Sequence, residues 1–161
     1  MEGDFIMMKC INQKRELYSK ALLTGVCCIT TLLGVKLGFV QNGGVIEHFA
    51  YPFCHANIWH LVINLYVLWK LRNHINPLSS YMIAVLVSFL PMYVTDPTMG
   101  LSGFLFASIG QMWAKANDTK RMCQVVLPFI LITMLIPNTN GLLHLYAFVV
   151  GYFYKIILFK V

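Results

Sequence analysis

Two residues of this 161-residue chain could together carry out hydrolytic chemistry: Ser102, set in Gly100-Leu101-Ser102-Gly103, and His144. A serine hydroxyl is a poor nucleophile until a base takes its proton. A neutral imidazole can take that proton and later hand it to a leaving group. Upstream, His55, His60 and Asn64 add three more polar groups, of which His60 and Asn64, four apart, share a helix face. Each residue also has a plain structural reading. A serine that opens a helix is usually a cap, and a lone histidine is more often a packing or hydrogen-bonding residue. His60 with Asn64 would serve as glue between helices, and Gly100 and Gly103 as packing glycines. Their setting raises the functional reading, because polar groups inside apolar runs that enter a membrane are costly and mark functional sites by default.

The surrounding composition is that of a membrane protein. Hydrophobic residues make up 58% of the chain and charged residues 11%, against about a quarter charged in a soluble domain. The net charge of +6 does not indicate nucleic acid, since the basic residues lie in short clusters between apolar runs. Six runs can be read as spans: Ala21–Val40, Phe53–Trp69, Leu78–Val94, Leu101–Ala114, Gln124–Ile136 and Gly141–Phe159. Several fall short of the ~20 residues of an ideal spanning helix, which is acceptable inside a bundle. If the six alternate, Lys9, Lys14, Arg15, Lys20, Lys70, Arg72, Lys115, Lys120, Arg121, Lys155 and Lys160 all fall on one side. The opposite loops hold Glu47 and Asp96. Only Lys36 is unplaced, and it can snorkel. Both termini are then expected in the cytoplasm. Residues 1–20 form a polar cytoplasmic segment and 21–161 a single all-α membrane domain of six helices. The run after Lys20 is read as a retained anchor rather than a cleaved signal. Cys10, Cys27, Cys28, Cys54 and Cys123 show neither a disulfide framework nor metal-ligand spacing; no metal or cofactor is expected.

These spans bring the polar residues to a common level. Counting from the basic residues at ~1.5 Å per helical residue, His60 lies roughly 15 Å above Lys70, His144 roughly 16 Å above Lys155 and Ser102 roughly 20 Å above Lys115. All three fall in the outer half of a hydrocarbon core about 30 Å thick. Gly103, Ala107 and Gly110 form a small-residue seam on the fourth span, and Ala147 and Gly151 another on the sixth. Such seams let backbones approach closely, and their meeting would bring Ser102 and His144 together.

From Tyr51 to Tyr152 the ordered set His55-x4-His60-x3-Asn64, Gly100-Leu101-Ser102-Gly103 and His144 followed by small residues to Gly151-Tyr152 resembles the rhomboid family of intramembrane proteases. The resemblance implies a six-helix core with Ser102 as nucleophile and His144 as general base. It further implies that His60 and Asn64 bind the oxyanion, that His55 supports the outer end of the second span, and that Gly100 and Gly103 allow a tight path around the nucleophile. The sequence departs from the family pattern at three places. Ile46-Glu47 stands where the loop before the second span usually has Trp-Arg, Phe106 where a Tyr is frequent, and Ala147 where Gly is common. The first bears on loop stability or lipid contact. The second removes a hydroxyl while keeping a ring that can pack on His144.

No acid other than Glu47 and Asp96 lies near the outer face, so the expected machinery is a Ser-His dyad, its imidazole oriented by packing against Phe106. The expected oxyanion donors are His60, Asn64 and the Ser102 N–H, one such donor being worth ~3 kcal/mol. The expected substrates are single-span or other transmembrane proteins with helix-weakening residues near their outer ends. The lipid bilayer is the expected medium, a plasma or inner membrane the expected location, and nucleic acid no partner. Two other readings compete: a non-catalytic rhomboid-like protein that binds transmembrane clients, and a small transporter. The first is disfavoured by the presence of Ser102 and His144. The second is disfavoured by the lack of repeats and of acids within the spans.

Overall fold

The structure, a computed structural model, describes residues 2–71, 76–92, 96–116, 119–136 and 139–159, with side chains from residue 11 onward except those of 12, 119, 121 and 122. The described residues form seven helices: α1 (Glu2–Leu32), α2 (Val45–Ala50), α3 (Ile58–Lys70), α4 (Pro77–Ser88), α5 (Ser102–Trp113), α6 (Thr119–Leu135) and α7 (Gly141–Phe159). A 3-10 turn, Tyr51–Phe53, joins α2 to α3. The described residues contain no strand, only a single antiparallel bridge between Phe39 and Thr98. Of the basic residues used to orient the chain, Arg72 and Lys160 lie outside the described residues, as do the side chains of Lys9 and Arg121.

The helix boundaries correct several expected spans. The first was expected to run to Val40, but α1 stops at Leu32. Gly34, at φ 68°, takes the left-handed conformation that ends a helix. Its N–H donates to Thr31 O at 3.1 Å and the Val35 N–H to Thr30 O at 2.9 Å, the paired bonds of a Schellman cap. The chain from 33 to 44 is therefore a loop. The second span was expected from Phe53, yet α3 starts at Ile58. Pro52 shapes the 3-10 turn, and Asn57 caps α3 by accepting the His60 N–H at 2.9 Å. The third ends at Ser88, before Pro91, instead of reaching Val94, which lies outside the described residues. The fifth begins earlier than expected, at Thr119, and carries Pro128 within it. The sixth, α7, occupies its expected residues. Gly141–Leu158 is the one stretch among the described residues that is both long and apolar enough to cross a membrane; α4 and Cys123–Leu135 are apolar but shorter.

Helix α5 is the hub of the bundle. Most of its side chains from Gly103 to Trp113 are buried, and it packs against α7, α4 and α3. Its closest partner is α7, and small residues explain why: a methyl on Gly110 would overlap the Phe148 carbonyl, and one on Gly151 the Ala107 carbonyl. Toward α4 the interface is polar. Ser108 donates to Ser80 Oγ at 2.8 Å, Gln111 Nε2 to the same oxygen at 3.1 Å, and Ser79 to Gln111 Oε1 at 3.0 Å. The outward faces are the reverse, carrying exposed Leu22, Ile63, Leu86, Leu131 and Ile157. Beside a largely hydrophobic core, this polar contact between helices and the apolar outer faces depart from the distribution of a water-soluble bundle.

Candidate active site

The loop that delivers Ser102 is pinned at three successive places. Thr98 exchanges two backbone hydrogen bonds with Phe39, at 3.0 and 2.9 Å. Gly100 donates its N–H to Tyr51 O at 2.9 Å. Leu101 donates its N–H to His55 Nε2 at 3.4 Å. Gly100 sits at φ 128°, a conformation that L side chains rarely adopt, and a methyl there would lie 2.6 Å from His60 Cε1. The turn therefore needs glycine both for its dihedral and for the imidazole packed against it. Gly103 lacks a side chain where the hydroxyl of Tyr51 passes, and that hydroxyl donates to Ala84 O at 2.9 Å. His55, expected on the second span, instead lies in the non-helical Cys54–Asn57 segment, buried, with its ring edge-on to His60 at 5.3 Å.

Ser102 is the first residue of α5, and its side chain lines a cavity of about 720 Å³. His144, on α7, lines the same cavity, as does His60 from α3. The Phe106 ring, one turn beyond Ser102, stacks on the His144 imidazole at 4.4 Å and 21°. Among the described residues Ser102 and His144 face one space without a direct hydrogen bond; such bonds are often long in an unliganded site and tighten around substrate. Asn64 is buried outside this lining, with its Nδ2 donating to His60 O at 2.8 Å. That bond uses one of the two amide hydrogens.

Two residues at the site carried no expectation. Thr133 on α6 lies 3.0 Å from His144 Nδ1 through its hydroxyl. Its signal was a single hydroxyl in the otherwise apolar run Val125–Ile136. Asn140 caps α7 by accepting the Leu143 N–H at 3.0 Å, and donates to Thr98 Oγ1 at 3.1 Å and to Met92 Sδ at 3.2 Å. It thereby ties the start of the histidine helix to the serine loop. An Asn before an apolar helix is a cap signal, but its link to Thr98 depends on the fold. Among the described residues no three His, Cys, Asp or Glu side chains converge as a metal site would require.

The arrangement provides a hydroxyl at a helix start, an imidazole stacked and hydrogen-bonded beside it, and a second imidazole across a shared cavity. A family model described as Rhomboid domain matches residues 42–161, well over half of the chain and including Ser102, His144, His60 and Asn64. Comparison with curated proteins gives no match.

Proposed function

We propose, from the fact that this chain belongs to the rhomboid family, whose members are typically intramembrane serine proteases, that it is an active endopeptidase cutting transmembrane protein substrates with a Ser102–His144 dyad. Family membership makes it a membrane protein; the six-span topology with cytoplasmic termini is part of the proposal. The observation that carries the catalytic reading is that Ser102, His144 and His60 line one cavity, with the His144 ring held under Phe106.

In this mechanism His144 takes the Ser102 proton as Oγ attacks the scissile carbonyl, and then donates it to the leaving amine. The tetrahedral oxyanion is met by His60, by the free amide hydrogen of Asn64 and by the Ser102 N–H, which as the first residue of α5 has no partner within its helix. The helix start adds a favourable dipole for the developing charge. Water reaches the bond because α5 is short. Twelve residues rise only about 18 Å, less than the ~30 Å hydrocarbon core. With the Lys115 end at the cytoplasmic surface, Ser102 opens below the outer surface, into the polar-lined cavity.

Labelling by a fluorophosphonate probe tests the activation of Ser102. The folded wild type should label slowly, and labelling should fall at acid pH as imidazolium loses its capacity to accept a proton. Equal labelling of wild type and His144→Ala at every pH would remove the mechanism. A non-catalytic client-binding member is the second reading; a folded wild type that never labels would favour it.

A further inference from the structure

Stacking on Phe106 fixes the plane of the His144 ring but not which nitrogen faces Ser102. A half-turn about the histidine's last torsion keeps the plane and exchanges the two edges, and that torsion is broad and nearly two-fold. Something else must choose between the edges. Thr133 Oγ1 lies 2.7 Å from Ile130 O and 3.0 Å from His144 Nδ1. A carbonyl has no hydrogen to give, and a hydroxyl has one. With the Thr133 proton on Ile130 O, the nearer of the two, the bond to the imidazole is made by Nδ1–H. A neutral imidazole has a single N–H, so Nε2 is left with its lone pair. Nε2 is also the nitrogen turned away from Thr133.

We infer that Thr133 is a positioning residue that selects the Nδ1–H tautomer of His144 and aims the basic Nε2 at Ser102, filling with a neutral hydroxyl the place a carboxylate holds in a three-membered triad. The inference rests on the dyad proposed above. It is supported by burial, since Thr133 and His144 are 7% and 4% exposed and water does not compete freely for the bond. Asp96, the acid that lines the cavity, is exposed, and His60 is the other titratable group facing the same space. Neither is hydrogen-bonded to the His144 ring among the described residues.

The test compares Thr133→Val, which keeps the shape and removes the acceptor, with Thr133→Ser, which keeps the acceptor. Full-length protein in liposomes would be assayed on a tagged single-span reporter. Thr133→Val should lose about tenfold or more in kcat with KM nearly unchanged, the scale of one orienting hydrogen bond, and Thr133→Ser should recover most of it. Unchanged kcat in Thr133→Val would overturn the inference, and so would an equal loss in Thr133→Ser, which would make the threonine a packing residue. ¹⁵N-histidine NMR of the wild type, assigned against His144→Gln, reads the tautomer without relying on any Thr133 variant. Nδ1 should carry the proton at neutral pH, and a protonated Nε2 with bare Nδ1 would overturn the inference. Ser102→Ala runs beside these as a control: processing by that variant would sink the dyad itself, whereas an inert Ser102→Ala with a fully active Thr133→Val would sink only the role of Thr133.

Discussion

At the scale of single residues, the polar groups are legible in the sequence because the run around them is apolar, and their partners are not. Ser102 and His144 stand out in spans that should hold neither. Thr133 does not, because a threonine in a helix is routinely satisfied by the carbonyl three or four residues back, as Thr133 is by Ile130. Its second role depends on α7 lying alongside. The oxyanion assignment separates two residues with different surroundings: His60 lines the cavity, whereas Asn64 is buried behind it and bonded to its own helix. Asn64→Ala is expected to lower kcat by about a hundredfold to a thousandfold with little change in melting temperature if its free hydrogen reaches the oxyanion. Measuring both quantities on one preparation checks this, and a rate loss matched entirely by lost stability would leave Asn64 a structural residue. Gly100→Ala should cost more than its size suggests, because it strains the turn and displaces the His60 ring together. A loss of most turnover is expected, and wild-type kinetics in that variant would mean that the turn tolerates a Cβ.

At the scale of elements, the sequence marks helix interiors better than their ends. The small residues of α5 and α7 meet as their spacing suggested. Gly151→Leu should force these helices apart and destabilise the fold by about 1–3 kcal/mol or more; a melting temperature equal to wild type would show that the contact gives way easily. The loop from 33 to 44 was hidden because Leu32-Leu33-Gly34-Val35 is hydrophobic on average, and only the cap geometry of Gly34 ends the helix. That loop is held by His48 of α2, whose ring lies between Phe39 at 4.9 Å and Phe89 at 4.1 Å. His48 Nδ1 lies 2.8 Å from Ser88 Oγ, a hydroxyl that donates to Val85 O at 2.6 Å. Burial holds the His48 imidazole below its ordinary pKa, with Glu47 pulling the other way. The unfolded chain therefore takes up this proton more readily than the folded one. The contribution of His48 to stability is complete above the ordinary imidazole value of ~6.5 and is lost as pH falls below it. The melting temperature of wild type should drop more steeply between about pH 7 and pH 5 than that of His48→Gln, and parallel curves would contradict this.

At the scale of the whole molecule, an apolar outer surface follows from the composition, and the all-α bundle follows from the run lengths. The proposed orientation makes residues 41 to 48 external and residues 1–20 cytoplasmic. In a protein whose native cysteines have been replaced, a Cys near Lys14 should resist an impermeant thiol reagent in intact cells and one at Asn42 should react; the reverse pattern would invert the topology and with it the depth of Ser102. The central claim, that this family member is an active protease working through Ser102 and His144, is tested most directly by purified protein in liposomes with a tagged single-span reporter. Wild type should release a discrete fragment cut near the outer end of the reporter's span, and Ser102→Ala and His144→Ala, folded and equally abundant, should each release none. The same fragment, formed at a substantial rate by either variant, would contradict the dyad.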